Sequence, residues 1–253
     1  MKIVLLSQAR LGSSRLPNKV IKQIDSKSIL QIHLERIKKS KLIDDIILVT
    51  TFEKEIDKVL KIAASLNVKV FQGSTFDVLD RFYQSIANKD FDYVVRVTSD
   101  CPLIDPKLID KVIELTLKNN LDYCSNILIE SFPDGQDVEV FTKESLKKAW
   151  KNAKLKSHRE HVSLYIRENS SFMGGKMFKS DNLHSIINYE KVRMTVDEKK
   201  DFEAIECLVQ NLGINESWES YTDFILNNRT LFPNQNITRN QGLNKSIIDE
   251  KKH

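Results

Sequence analysis

The sequence predicts an α/β protein built on a mostly parallel, twisted sheet with a smaller inserted lobe. Three observations carry that expectation. Apolar runs of strand length recur at residues 2–6, 46–50, 68–71 and 93–97. Segments with helical spacing of apolar residues separate them, which is the pattern of β-α-β units. The rhythm then breaks near residue 126 and resumes near residue 192.

Residues 2–6 (KIVLL) form the first strand, and the loop SQARLGSSRLPNK (7–19) follows it. A helix over about 29–39 puts Leu30, Leu34 and Ile37 on one face. After the second strand (46–50), Ile56, Val59, Leu60 and Ala63 mark a helix, and the third strand (68–71) ends at Gly73. A helix over 78–87 leads to the fourth strand (93–97), and Leu108, Val112 and Leu115 stripe the next helix. Residues 122–125 fit a fifth strand. Phe132-Pro133-Asp134-Gly135 is a turn signal, followed by a short alternating strand at 138–141 and helices around 144–153 and 160–167. Residues 127 to about 190 are thus expected to leave the sheet as a lobe over the site. The chain returns through a strand at 192–196, and Phe202, Ile205, Leu208 and Val209 mark a closing helix. Trp218, Tyr221, Phe224 and Ile225 form one more amphipathic patch, and 234–253 is a polar tail after a single domain spanning 1–233.

Composition narrows the function. Lys and Arg number 39 against 35 for Asp and Glu, an excess too small and too dispersed for a nucleic-acid binder. Local positive charge is better used on a small anionic ligand. Three scattered cysteines, without paired spacing, suit a reducing compartment and exclude a disulfide framework or zinc site. Four apolar residues between Lys2 and Ser7 are too few for a leader, and no run approaches the ~18 of a membrane span. A cytoplasmic protein with no membrane partner is expected.

In a parallel sheet ligands bind beyond the carboxyl ends of the strands, so residues 8–19, 73–81 and 98–102 should line one crevice. Phosphates are held by backbone N–H groups and by Arg or Lys, and a glycine lets the backbone approach. Arg10, Arg15 and Lys19 around Gly12 could converge on one polyanion. The alternative is a strand-to-helix connection with solvated charges, and charge alone does not choose. The loop is not a Walker A sequence. Asp100 follows the fourth strand, where Mg²⁺ on nucleotide phosphates takes one or two protein oxygens. A helix cap is the competing role, for which Asp105 is better placed. Asp197 follows 192–196 in the same way, as a ligand or as a cap for the helix beginning near Lys199. Ser74, Asp80 and Arg81 should face a base. His33, His158, His184 and His253 have no constellation around them.

The stretch A-R-x-G-S-x-R-L-P-x-K after an N-terminal apolar strand resembles the opening of the sugar cytidylyltransferases, above all the spore-coat-polysaccharide-biosynthesis type. The resemblance continues through GSTFDVLDRFYQ (73–84), RVTSDCPLIDP (96–106), FPDGQDVEVF (132–141), REHVSLYIR (159–167), RMTVD (193–197) and ITRNQGLNKS (237–246). It also extends to the CMP-acylneuraminate and 3-deoxy-manno-octulosonate cytidylyltransferases. It implies the nucleotide-diphospho-sugar transferase (Rossmann-like) fold and transfer of CMP from CTP to a sugar or sugar acid with release of pyrophosphate. Arg10, Ser14, Arg15 and Lys19 would then hold the CTP phosphates, with Ala9, Gly12, Ser74, Asp80, Arg81 and Ser99 completing the nucleotide contacts. Arg10, Arg15, Lys19 and Asp100 would carry catalysis, and Asp100 and Asp197 would bind Mg²⁺. Asp134, Asp137, Glu139, Arg159, Glu160, His161, Arg167 and Arg193 would form the acceptor side, with Arg159 to Arg167 on one amphipathic helix. The choice of cytosine over uracil comes from the resemblance, as does a homodimer joined through the lobe. Ser99 stands where the family usually has glycine. A nucleotide-sugar-dependent glycosyltransferase is the alternative enzyme, although Ser99-Asp100-Cys101 is not its Asp-x-Asp pair. A catalytically silent nucleotide-binding partner is the alternative from another class.

Overall fold

Strand β1 (Ile3–Gln8) lies inside a seven-stranded sheet with both of its faces covered. The structure, a computed structural model, describes residues 1–239 together with 241, 246 and 248. A small antiparallel hairpin, β2 (Gln23–Ile24) and β3 (Lys27–Ser28), follows the first loop. β1 pairs in parallel with β4 (Asp45–Thr50) on one side, and β4 with β5 (Lys69–Gln72). On its other side it pairs in parallel with β6 (Tyr93–Thr98). Beyond β6 come β8 (Glu139–Thr142), β7 (Tyr123–Ser125) and β9 (Ser180–Asn182), and β8 runs antiparallel to both neighbours.

The apolar runs are continuous because both faces of the sheet are buried. Ile3 and Leu5 pack under α1 (Ile29–Ile37), α2 (Asp57–Ser65) and α4 (Pro106–Lys118). Val4 and Leu6 pack against α3 (Val78–Ile86), α5 (Lys143–Asn152) and the short α7 (Leu164–Glu168). Full burial of one such side chain contributes about 1.5–3 kcal/mol, so alternate residues of β1 fix helices to opposite faces. Caps set the helix starts: Ser28 accepts from the Gln31 amide and Asp77 from that of Asp80. Asp105 accepts from Lys107 with Pro106 at the first helical position, which leaves Asp100 free of that duty.

Several expectations change. Residues 127–190 do not leave the sheet as a whole, since β8 and β9 belong to it. The single helix expected around 160–167 is two, α6 (Lys156–Glu160) and α7, because His161 leaves helical geometry at φ −105°, ψ 86°. Residues 192–196 are not a strand of the main sheet. They make one parallel bridge, Arg193 to Asp134, and the Val196 amide donates to the Asp100 carbonyl. Val192, Met194 and Val196 instead seal a third core under α8 (Lys199–Leu212) and α9 (Trp218–Asn227). Gly135, at φ +105°, admits this crossing, since a Cβ there would lie 2.7 Å from the Met194 carbonyl carbon. Asn234 and Arg239, expected in the polar tail, pack against the domain: Asn234 reaches Asp201, and Arg239 reaches Asp137. Tail positions 240, 242–245, 247 and 249–253 lie outside the described residues. Among the described residues no helix is long and apolar enough to cross a membrane.

Candidate active site

The loop after β1 borders a cavity of about 380 Å³ at the carboxyl end of the sheet. Arg10, Ser14, Arg15 and Lys19 all line it, facing Asp100 and Asp197. The loop is held from outside: the Leu11 and Gly12 amides donate to the Glu53 carboxylate at 2.6 and 3.2 Å. Those two amides therefore face Glu53, and the cavity receives side chains from this part of the loop. Ala9 is buried, its amide bonded to Val49.

Lys19 organises the cavity floor. Its Nζ donates to Asp100 Oδ2 at 2.7 Å, to Asp197 Oδ1 at 2.8 Å and to the Val196 carbonyl at 2.8 Å. Burial opposes the ammonium charge, but Asp100 and Asp197 outweigh it and hold the Lys19 pKa above its ordinary value. Burial likewise opposes the Asp100 charge, and Lys19 overrides it, keeping the carboxyl well below the usual range. Arg15 reaches Asp197 Oδ2 at 3.0 Å. The two carboxylates thus aim at one cationic point, the donor arrangement that Mg²⁺ takes alongside phosphate oxygens. They come together through the bond from Val196 to Asp100, and not as the ends of adjacent parallel strands. Asp197 is not the cap of α8, which is Glu198 in a capping box with Asp201.

The 73–81 segment does not line this cavity. Arg81 is buried, donates from Nη1 to the Ser74 carbonyl at 2.6 Å and fixes the turn; burial and then Arg10 push its pKa down to about 10. Ser74 Oγ accepts from the Asp77 amide. Asp80 accepts from the Trp150 indole at 2.7 Å and from Gln84, so it binds α5 and its own helix. Ser99 is also buried, behind the cavity wall.

A second cavity, of about 150 Å³, shares Thr98 with the first and is lined by Arg96, Asp137, Glu139, His161 and Arg167. Glu139 takes an ion pair from Arg96 and a 2.7 Å hydrogen bond from Tyr123. Burial opposes its charge, but Arg96 and Arg167 prevail and keep the carboxyl below its ordinary value. His161 Nε2 is buried with no hydrogen-bond partner among the described residues, and burial lowers the imidazole pKa. The remaining acceptor-side residues do not line this cavity. Asp134 and Arg193 pair with each other, and Arg193 also holds Asp201 and, at 3.3 Å, Asp197. Burial, then Asp137, push the Asp134 pKa up to about 7, against Arg239 and Arg193. Arg159 ties α6 to Asp77 at 2.6 Å, and Glu160 accepts from Ser246. These are supports, and the acceptor set expected on one helix is split by the turn at His161.

Gln8 and Thr98 line the first cavity from strand ends, where the carboxyl-end rule puts residues 8–19 and 98–102. The structure adds Arg96 to the second cavity, and it had a signal, a lone charge inside the apolar run YVVRV. Glu53 reaches the site only through tertiary folding, while Arg239 and Gln241 lie in the 237–246 stretch that the resemblance covers without giving either a role.

The sequence model of one family, described as cytidylyltransferase, matches residues 4–231. The chain belongs to the cytidylyltransferase family. It is 45% identical over 230 residues, covering 89% of itself and 90% of its relative, to an uncharacterized protein of Methanocaldococcus jannaschii. It is 32% identical over 216 residues to the spore coat polysaccharide biosynthesis protein SpsF of Bacillus subtilis, covering 83% of this chain and 88% of SpsF. Among solved structures, it superposes on a cytidylyltransferase from Leptospira borgpetersenii with a TM-score of 0.87 at 33% identity, covering 94% of this chain and all of the other. The mostly parallel sheet is that of the nucleotide-diphospho-sugar transferase fold shared by its nucleotidyltransferase neighbours. As a member of the family the protein is a nucleotidyltransferase that uses CTP.

Proposed function

We propose that the protein transfers CMP from CTP to a hydroxyl of a sugar acid, releasing pyrophosphate, and supplies an activated sugar for a surface polysaccharide or glycan. One observation carries this reading: Arg10, Arg15 and Lys19 meet Asp100 and Asp197 across a single cavity at the carboxyl end of the sheet. That arrangement offers cations for a triphosphate and paired carboxylates for its metal.

The acceptor hydroxyl attacks the α-phosphorus in line with the departing pyrophosphate. Arg10 and Arg15 neutralise the charge that gathers on the leaving phosphates, and Ser13 and Ser14 offer hydroxyl donors beside them. Asp100 and Asp197 would hold Mg²⁺, which would supply charge neutralisation on the phosphate oxygens. Lys19, which bridges the two carboxylates and lines the same cavity, would then be available to the phosphates. No protein nucleophile is needed, since positioning and electrostatics carry phosphoryl-type transfer.

The acceptor is read as an acid from the second cavity. Arg167 lines it with no ion-pair partner among the described residues, beside the buried His161 Nε2. Glu139 draws on Arg167 at longer range, and an acceptor carboxylate would give that guanidinium a direct ion pair, which a neutral sugar would not. The SpsF relative supports the polysaccharide role, the three scattered cysteines support work in the cytoplasm, and the family resemblance supports a homodimer.

A pyrophosphate-release screen crossing the four nucleoside triphosphates with neutral sugars and sugar acids, with and without Mg²⁺, tests the reading. Release should appear with CTP, an acid acceptor and Mg²⁺ together. Release with neutral sugars alone would overturn the acceptor class. Reaction only from a nucleotide-sugar donor, without pyrophosphate, would point to a glycosyltransferase.

A further inference from the structure

A chain of buried hydrogen bonds runs behind Asp100. Ser99 Oγ lies 2.7 Å from Ser7 Oγ, Ser7 Oγ lies 2.9 Å from His33 Nε2, and His33 Nδ1 lies 2.9 Å from the Cys101 carbonyl oxygen. All three side chains are fully buried, at 0% exposure. Their chemistry fixes the direction of every bond. A carbonyl only accepts, so His33 carries its proton on Nδ1 and donates to Cys101. Burial lowers the His33 pKa to about 4, so the ring is neutral and Nε2 is an acceptor. Ser7 therefore donates to Nε2 and accepts from Ser99.

The chain begins at the residue before Asp100 and ends at the residue after it. It crosses from β6 to β1 and on to α1, so three elements hold the short segment whose carboxylate faces the cavity. A glycine at position 99 could not start the chain. The hydroxyl of Ser99 thus has a use that neither the loop motif nor the carboxylates account for. We propose that Ser7, His33 and Ser99 form an internal staple that positions Asp100 for the metal-dependent step, with Ser99 as its first link.

The proposal rests on the role of Asp100 given above, so its test needs one measurement that involves no turnover. Ser99→Ala removes the first link. His33→Asn keeps a donor near Nδ1 and loses the acceptor for Ser7, while His33→Gln does the reverse. In ligand-free protein, each variant should speed amide hydrogen exchange across residues 98–101 relative to the wild type. In the assay, each should lower kcat roughly ten- to a hundredfold, the scale of a misplaced catalytic group. KM for CTP should stay within about twofold while the Mg²⁺ concentration needed for half-maximal rate rises. Ser99→Ala combined with His33→Asn should be little worse than either alone, because both cut one chain. Unchanged exchange and unchanged kcat in Ser99→Ala would overturn the staple, as would a lower melting temperature with full kcat. If Ser99→Ala does not fold, the two His33 variants carry the same expectations. Should the wild type release no pyrophosphate, the proposed reaction fails, and the exchange measurement still decides the staple.

Discussion

Replacing Lys19 with methionine removes the cation on which Asp100 and Asp197 converge and leaves the chain length of the side chain nearly intact. The ammonium makes three contacts of 2.7 to 2.8 Å, and its side chain is only 9% exposed. Without it, Asp100 loses its ion-pair partner, and Asp197 keeps Arg15 and Arg193. Breaking a buried ion pair costs about 3–5 kcal/mol, and the low end applies because Asp100 and Asp197 are roughly a quarter exposed and water takes part of the charge. About 3 kcal/mol corresponds to a fall of roughly 6–12 °C in melting temperature for a domain of this size. The loss depends on pH in a defined direction. Asp100 is depressed below its ordinary 3.8, so its contribution is present above that value and vanishes as pH falls through the lower folded value. Lys19 is raised above 10.5, so its contribution is fully present below that value and is lost only as pH rises through the higher folded value. The difference between wild type and Lys19→Met should therefore be flat from pH 5 to 9, as those two ordinary values require, and shrink in strong acid. Mg²⁺ without nucleotide should raise the melting temperature of the variant more than that of the wild type, since no ammonium then bridges Asp100 and Asp197. Scanning calorimetry across pH, with and without Mg²⁺, reads all of this. A variant that melts within about 2 °C of wild type at neutral pH would refute the ion-pair argument. Equal Mg²⁺ shifts in both proteins would refute the shared cation site.

Three further outcomes are expected. Glu53→Ala frees the Leu11 and Gly12 amides and should weaken CTP by roughly tenfold, with CMP affected less, in a calorimetric titration; equal weakening would mean that Glu53 does not shape the triphosphate side. Arg193→Met leaves the fully buried Asp201 without its cation and Asp134 with Arg239, and should destabilise the fold by about 3–5 kcal/mol, visible in a denaturant titration as a lower midpoint at unchanged slope. Arg167→Ala should raise the KM for an acid acceptor roughly ten- to a hundredfold and leave that for CTP unchanged in the pyrophosphate assay; a change in CTP alone would move Arg167 out of the acceptor cavity.

The sequence by itself determined the parallel part of the sheet and the charged loop after β1. β1, β4 and β6 are legible because strands buried on both faces must be apolar without interruption. Asp105 is legible as a cap from its position before an apolar stripe. The loop from Arg10 to Lys19 is legible because its charges and glycine are neighbours in the chain, and its position follows from the strand before it. Tertiary structure decided what depends on residues far apart in sequence. Residues 192–196 alternate like a strand, yet they pack across the Gly135 turn, because their hydrogen bonds go to Asp134 and Asp100. Part of the expected acceptor side lies outside the second cavity for a related reason. Asp134, Arg159 and Arg193 carry charge that suits a ligand, and only the fold shows that other side chains have already taken it. His33 was assigned nothing, since no sequence pattern links it to Ser7 and Ser99. Side-chain hydrogen bonds are set by three-dimensional proximity, and a chain joining positions 7, 33, 99 and 101 has no local signature.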